Sequence, residues 1–220
     1  KSNVATAAFS TGGHLGTARY TLAGAGTQTA GLAFGGDVLP GPSGKTEEYT
    51  GILWSEQQDL NTARRSLFGC GTQTAGLAAG GNPNPSTTAN SEEYNGSSWT
   101  EGNNLGTARR NMAAAGSQTA AVAVGGQNPP GEVANVEEYN GTSWSEVTDI
   151  PSADASSSGL GTQVNAVIAG GAPNSTTSLA YDGTNWTATN SINTGRGNAS
   201  SGGDATSGVI FGGSSNSTAA

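Results

Sequence analysis

Residues 62–105 read TARRSLFGCGTQTAGLAAGG, NPNPSTTANS and EEYNGSSWTEGNNL, and the chain consists of this stretch written several times. Paired glycines recur in steps of 45, 45, 45 and 42 residues, at Gly35-Gly36, Gly80-Gly81, Gly125-Gly126, Gly170-Gly171 and Gly212-Gly213. Every tryptophan stands at one repeat position, namely Trp54, Trp99, Trp144 and Trp186, and a tyrosine precedes each, namely Tyr49, Tyr94, Tyr139 and Tyr181. A fixed period of this size is typical of solenoids and β-propellers.

Each repeat reads as short strands. Residues 18–26 (ARYTLAGAG) and 29–36 (TAGLAFGG) meet at the glycine-led GTQT, which predicts a hairpin. Residues 92–96 (EEYNG) and 97–101 (SSWTE) predict a second hairpin that turns at an Asn-Gly pair, a sequence preferred where a tight turn needs positive φ. Four short strands in about 45 residues correspond to one blade of a β-propeller.

The two ends of the chain carry complementary half-repeats. Residues 194–220 match the front half of a repeat, and residues 1–15 match the back half, with Val4 at the tyrosine position and Phe9 at the tryptophan position. We therefore predict an all-β, single-domain, five-bladed β-propeller with four antiparallel strands per blade. The predicted blades are residues 17–60, 62–105, 107–150, 152–192, and 194–220 together with 1–15. A blade split between the two termini would close the ring and remove open sheet edges.

The repeat resembles the kelch repeat: a double glycine closes the second strand, a tyrosine and then a tryptophan follow, and a TAR-like opening begins the next copy. The resemblance covers the entire chain, but the step from tyrosine to tryptophan is short and GTQT replaces the usual hairpin turn. This compact form, rich in Gly, Ala and Thr, is similar to kelch-like repeats of marine bacteriophage structural and tail-fibre proteins. The resemblance implies that the TARR strand lies innermost and the tryptophan strand outermost. It also implies an extracellular or virion location.

Composition and charge narrow the classes of function. The formal net charge is −8, so the basic face that nucleic-acid binding requires is not expected. No apolar run approaches the ~20 residues of a spanning helix, so we expect no membrane insertion. His14 and Cys70 are the only histidine and cysteine, and no metal cluster can be assembled from one of each. We expect no cofactor and no enzymatic activity.

The variable loops are the candidate binding surface. They follow the paired glycines and differ between repeats, reading DVLPGPSGK, NPNPSTTANS, QNPPGEVAN and APNSTTS. The candidate contact residues in these loops are Asp37, Asn82, Asn84, Gln127 and Asn128. Dissimilar loops on one face of a rigid scaffold commonly form a binding surface, here for a glycan or a protein receptor. Alternatively, they are polar connectors in a structural spacer or a self-assembling subunit, including a homo-oligomer. A glycan hydrolase, with a carboxylate pair such as Asp37 and Glu132, is a third hypothesis.

Four arginines share one repeat position, Arg19, Arg64, Arg109 and Arg196. They could form a cationic ring that binds an anionic sugar or a carboxylate. Alternatively, they pair with the acidic residues that open the third strand, Glu47, Glu48, Glu92, Glu93, Glu137 and Glu138. The fourth repeat favours pairing, because it lacks both the arginine (Asp154) and the acidic pair (Leu179 and Ala180). The tryptophans are predicted to wedge neighbouring blades together rather than to stack on sugars. The recurrent glutamines, Gln28, Gln73, Gln118 and Gln163, either line a polar rim or stabilise turns.

Overall fold

A computed structural model describes residues 12–215, which form antiparallel sheets in a β-propeller arrangement. The first blade contains β1 (Ala23–Thr27), β2 (Ala30–Phe34), β5 (Thr46–Tyr49) and β6 (Trp54–Glu56), and its variable loop contains β3 (Asp37–Val38) and β4 (Gly41–Pro42). The second blade contains β7 (Phe68–Thr72), β8 (Ala75–Ala79), β9 (Ser91–Tyr94) and β10 (Trp99–Glu101). None of the described residues forms a helix long and apolar enough to cross a membrane.

The third blade contains β11 (Ala113–Ser117), β12 (Ala120–Val124), β15 (Val136–Tyr139) and β16 (Trp144–Glu146), and its loop contains β13 (Gln127–Asn128) and β14 (Gly131–Glu132). The fourth blade contains β17 (Ser157–Thr162), β18 (Asn165–Gly170), β19 (Ser178–Tyr181) and β20 (Trp186–Ala188). A final two-stranded sheet contains β21 (Ser200–Gly203) and β22 (Gly208–Phe211).

The prediction of five four-stranded blades is wrong. Within residues 12–215, four blades have four strands each, and the C-terminal repeat supplies only the β21–β22 hairpin. The predicted outer half of that blade was residues 1–15; residues 1–11, with Val4 and Phe9, lie outside the described residues, and residues 12–15 form no strand. The sequence offers a physical reason, since this half-repeat lacks the acidic pair, the Asn-Gly turn and the tryptophan that build the outer hairpin elsewhere.

The first strand of each blade lies at the propeller axis. The contacts β1·β7, β7·β11, β11·β17 and β17·β21 join consecutive blades through their first strands. Within a blade the strands follow in chain order, so β6, β10, β16 and β20, each beginning with a tryptophan, are outermost. The TARR segment itself precedes the inner strand, because β1 begins at Ala23 and not at the predicted Ala18. The small residues of β1, AGAGT, suit the close approach of strands around the axis.

Apolar side chains fill the spaces between blades. Trp99 of the second blade packs on Phe34 of the first, with ring centroids 4.8 Å apart, and its Nε1 donates a 2.9 Å hydrogen bond to Thr46 Oγ1. Trp144 repeats the arrangement one blade later, with its ring 5.8 Å from Phe68. These two tryptophans therefore lie between neighbouring blades, as the sequence predicts.

Recurrent polar residues also join neighbouring blades. Gln118 Nε2 donates hydrogen bonds to the carbonyl oxygens of Tyr94 (2.7 Å) and Gly76 (3.1 Å), both on the second blade. The Tyr94 hydroxyl donates to Glu48 Oε1 of the first blade at 2.9 Å. Equivalent bonds are made by Gln73, Gln163, Tyr139 and Tyr181. These glutamines therefore lie between blades, and each is held by hydrogen bonds to two carbonyl oxygens of the neighbouring blade.

Candidate functional site

The variable loops lie on the same side of the propeller as the residues that precede each inner strand. Isolated bridges pair Tyr20 with Asp37, Arg65 with Asn82, and Arg110 with Gln127. The hairpin turns lie at the other end of the strands, where Gly96 adjoins Thr74 and Gly141 adjoins Thr119. We call the surface formed by the variable loops and the residues bridged to them the loop face.

Five small polar residues surround the axis on the loop face, Thr21, Ser66, Asn111, Ser156 and Asn198, and we call them the axial ring. All five have a positive φ, between 51° and 63°. Positive φ is uncommon outside glycine and costs on the order of 1–3 kcal/mol per residue, so the surrounding structure must enforce it. The positive φ also explains why the inner strands begin later than the sequence predicts.

Backbone hydrogen bonds connect the axial ring from blade to blade. The amide of Ser66 donates to the Thr21 carbonyl (2.9 Å), that of Asn111 to Ser66 (2.9 Å), that of Ser156 to Asn111 (2.8 Å), and that of Asn198 to Ser156 (2.9 Å). The five residues line one cavity of about 860 Å³ that also contains apolar groups such as Leu22 and Met112. The ring therefore presents hydroxyl and amide side chains around an axial opening.

A charged and aromatic cluster flanks the axial ring on the first two blades. Asp37 is 1% exposed, and its Oδ2 accepts hydrogen bonds from the Tyr20 hydroxyl (3.1 Å) and from Arg65 Nη1. This hydrogen bond with the carboxylate is the main cause of the raised pKa of Tyr20. Tyr20 is 53% exposed as a residue, and the Arg65 side chain is 33% exposed. An exposed aromatic ring and a partly exposed guanidinium are thus anchored by one buried carboxylate.

On the third blade, the neutral side chain of Gln127 occupies the repeat position of Asp37. Gln127 Oε1 accepts hydrogen bonds from Arg110 Nε (3.3 Å) and from Asn111 Nδ2 (3.2 Å). Within the part of the chain that the structure describes, Arg110 has no carboxylate partner. The side-chain oxygen of Gln127 thus holds both the Asn111 side chain of the axial ring and the guanidinium of Arg110.

The remaining loop candidates differ in exposure. Asn82 is buried, and its Oδ1 accepts the Asn84 amide at 2.6 Å, which shapes the loop of the second blade. Asn84 and Asn128 are exposed. Asp37 and Glu132, the carboxylate pair of the hydrolase hypothesis, lie in the loop hairpins of the first and third blades, with the second blade between them. The structure therefore does not bring these two carboxylates into one hairpin or onto neighbouring blades.

Three of the four recurrent arginines are paired inside the blades. Arg19 Nη1 lies 3.1 Å from Glu47 Oε1, Arg109 Nη2 lies 2.9 Å from Glu137 Oε1, and Arg64 binds Glu92 in the same way. All three arginine side chains are fully buried, and this burial lowers their pKa, while the glutamates oppose that shift. In the fourth blade, burial raises the pKa of Asp154, which accepts a hydrogen bond from Ser157. Only Arg196, in the C-terminal repeat, has no carboxylate partner among the four within the described residues.

Tyr20, Arg65, Arg110 and the axial ring were not predicted from the sequence. One signal was available for the ring, because its position holds Thr, Ser, Asn, Ser and Asn in successive repeats and no apolar residue.

A scan of protein-family models finds no match to this chain, and a search of curated proteins finds no similar protein.

Proposed function

We propose that the chain is a non-enzymatic binding module that contacts a glycan through the loop face. One observation carries the proposal: the recurrent tyrosine, tryptophan and glutamine side chains are engaged between blades, whereas the residues that flank the axial ring differ from blade to blade in side chain or in hydrogen-bond partner. Trp99, Tyr94 and Gln118 illustrate the first class, and each has its polar group bonded to a neighbouring blade. Tyr20, Arg65 and Arg110 illustrate the second.

The chemistry of the loop face suits a polyhydroxyl ligand. The exposed Tyr20 ring offers an apolar platform with a polar edge, a combination that recognises the C–H face and the hydroxyls of a sugar. The hydroxyl and amide groups of the axial ring both donate and accept hydrogen bonds. Asn84 and Asn128 add exposed amides at the loop tips. Sites of this kind combine a concave, partly apolar surface with a few oriented polar groups.

The kelch-like resemblance of the repeat supports a place for the module in a virion fibre or in another surface appendage, outside a cell. There, a ring of rigid blades would present the loop face to a host glycan. The principal alternative is a structural spacer or a self-assembling subunit without a ligand.

A glycan-array screen of the purified chain, combined with light scattering for mass, tests the proposal. We expect selective binding to one class of sugar. We also expect a loss of about tenfold or more on Tyr20→Ala, equivalent to ~1.4 kcal/mol. The matched control is Ile52→Ala, which truncates a side chain that is 73% exposed at the turn between β5 and β6. Equal effects of the two substitutions, or silence across the array together with a discrete oligomer or filament, would refute the binding role and favour the spacer.

A further inference from the structure

The second and third blades contain the same carboxylate-binding arrangement. In the third blade, Glu137 Oε1 accepts from Arg109 Nη2 (2.9 Å), and its Oε2 accepts the Gly106 backbone amide (2.6 Å). In the second blade, Glu92 accepts from Arg64 and from the Asn61 amide (2.7 Å) in the same way. A guanidinium and the amide of the segment preceding it therefore form a receptor for one carboxylate in both blades. In the first blade, the Gly16 amide donates to Glu47 Oε2 (2.6 Å), and Arg19 Nη1 lies 3.1 Å from Oε1 without a hydrogen bond to it.

The C-terminal repeat holds its arginine in the same backbone environment. Arg196 Nη1 donates to the Gly212 carbonyl at 2.8 Å, as Arg109 Nη1 donates to the equivalent Gly125 carbonyl at 2.7 Å. Arg196 Nε also donates to the Thr194 carbonyl at 3.4 Å. These bonds leave Arg196 Nη2 without a hydrogen bond to any described residue, whereas Arg109 uses Nη2 to bind its glutamate.

A cavity of about 830 Å³ adjoins this guanidinium. Asn193, Thr194 and Arg196 line it, and they occupy the repeat positions of Gly106, Thr107 and Arg109. Within residues 12–215, the backbone amides of Asn193 and Thr194 donate no hydrogen bond. The residues that supply both donor elements of the receptor thus line one open space.

No described carboxylate fills this receptor. Asp204 is the only acidic residue among those that line the cavity, and its Oδ1 accepts from the amides of Thr206 (2.8 Å) and Ser207 (2.7 Å) at the turn between β21 and β22. That turn lies at the end of the hairpin opposite to Arg196. Residues 1–11 and 216–220 contain no aspartate or glutamate side chain.

We infer that this cavity binds the carboxylate of a small organic acid, with Arg196 as the charged partner and the Asn193 and Thr194 amides as further donors. The remaining lining fits the body of such a molecule, since Asn190 and Ser191 offer polar groups and Val167 offers an apolar surface. The planar guanidinium makes two parallel hydrogen bonds to a carboxylate, which gives directional recognition. This inference is independent of the loop-face proposal, because it concerns a different cavity.

The test is an NMR titration of the ¹⁵N-labelled full chain, following the Arg196 Nε–H and the amides of Asn193 and Thr194. The probes are sodium acetate and sodium D-glucuronate, with D-glucose and sodium chloride as matched neutral and inorganic comparisons. We expect saturable shifts with both carboxylates, and tighter binding of glucuronate would identify a sugar acid as the better ligand. Shifts of equal size with chloride would overturn the inference.

Three variants make the test specific. Arg196→Gln should weaken carboxylate binding about 10- to 100-fold, the range expected for charge-assisted hydrogen bonds. Arg196→Lys keeps the charge but lacks the fork, so it should bind several-fold more weakly than the wild type, and equality with the wild type would overturn the inference. Lys45→Gln removes the same charge from an exposed ion pair and should leave binding unchanged. Tyr20→Ala should also leave it unchanged, so failure here and failure of the glycan proposal are distinguishable.

Discussion

Removing the carboxylate of Glu92 should destabilise the propeller strongly. The Arg64 and Glu92 side chains are 0% and 1% exposed, and Arg64 Nε has no hydrogen-bond partner even in the intact pair. In Glu92→Leu the guanidinium would stay buried with only the carbonyls of Thr62 and Ala78 as acceptors. Breaking a buried ion pair from one side costs about 3–5 kcal/mol, because an uncompensated charge remains in the interior.

The double substitution separates the effect of charge from the effect of packing. Replacing both partners by apolar residues of similar size is often neutral or better, so Arg64→Met combined with Glu92→Leu should recover most of the loss. The fourth blade already contains half of this change, with Leu179 buried at the glutamate position. We therefore expect the double variant to be more stable than either single variant.

Urea unfolding followed by tryptophan fluorescence measures both quantities, because tryptophans lie at the blade interfaces. With a slope of about 2–3 kcal/mol per molar urea, the single substitution should lower the midpoint by roughly 1–2 M. The matched control is Glu56→Gln, which breaks the exposed pair with Lys45 and should change the free energy of unfolding by less than about 1 kcal/mol. A Glu92→Leu loss no larger than that of the control, or a double variant as unstable as the sum of the singles, would refute the reasoning.

Three further outcomes are expected. Gln118→Ala should lower the free energy of unfolding by about 1–3 kcal/mol, since two carbonyls of the second blade lose their donor, while the exposed Gln58→Ala should stay within ~0.5 kcal/mol in the same urea assay. Cys70 should react with a disulfide reagent only after unfolding. Burial raises its pKa from 9.0 to about 12 and so lowers the fraction of reactive thiolate about 1,000-fold. A reaction rate of the folded chain equal to that of the denatured chain would contradict this. Burial raises the pKa of Asp154, so the stability that its protonated form contributes at low pH is lost as the pH rises from 3.8 through the pKa of the folded state. Over that window, Asp154→Asn should therefore gain stability relative to the wild type. A difference in urea midpoints that does not change with pH would contradict this.

The sequence predicted the β-propeller arrangement because its recurrent residues are those that hold the sheets together. The tyrosine and tryptophan positions specify the outer hairpin, where Tyr94 and Trp99 are directly paired. The GTQT segment specifies the inner hairpin, where Thr27 pairs with Ala30 across a two-residue turn. Each signal is local, since a hairpin is fixed by residues close in sequence. The same signals could not give the number of complete blades, because a repeat-sized segment at the end of a chain need not form all four strands.

The loop-face residues were harder to predict for a physical reason. Thr21 adopts positive φ although it is β-branched, and its carbonyl accepts a hydrogen bond from the Ser66 amide of the neighbouring blade. The Tyr20–Asp37–Arg65 cluster joins residues 17 and 28 positions apart on two blades. No local sequence pattern predicts contacts of this range, and the cluster occurs once among the described residues.

The two proposals follow from one property of a repeat protein, namely that its departures from the repeat are visible against its own copies. Arg196 differs from Arg19, Arg64 and Arg109 in lacking a glutamate, and Tyr20 differs from Arg65 and Arg110 in being aromatic. In the C-terminal repeat the arginine is present and the glutamate is absent. The groups that form a buried ion pair in the other blades are therefore open to an anion there. The same comparison of equivalent positions therefore separates the three arginines that lie in buried pairs with glutamates from Arg196, which we infer to bind an external carboxylate.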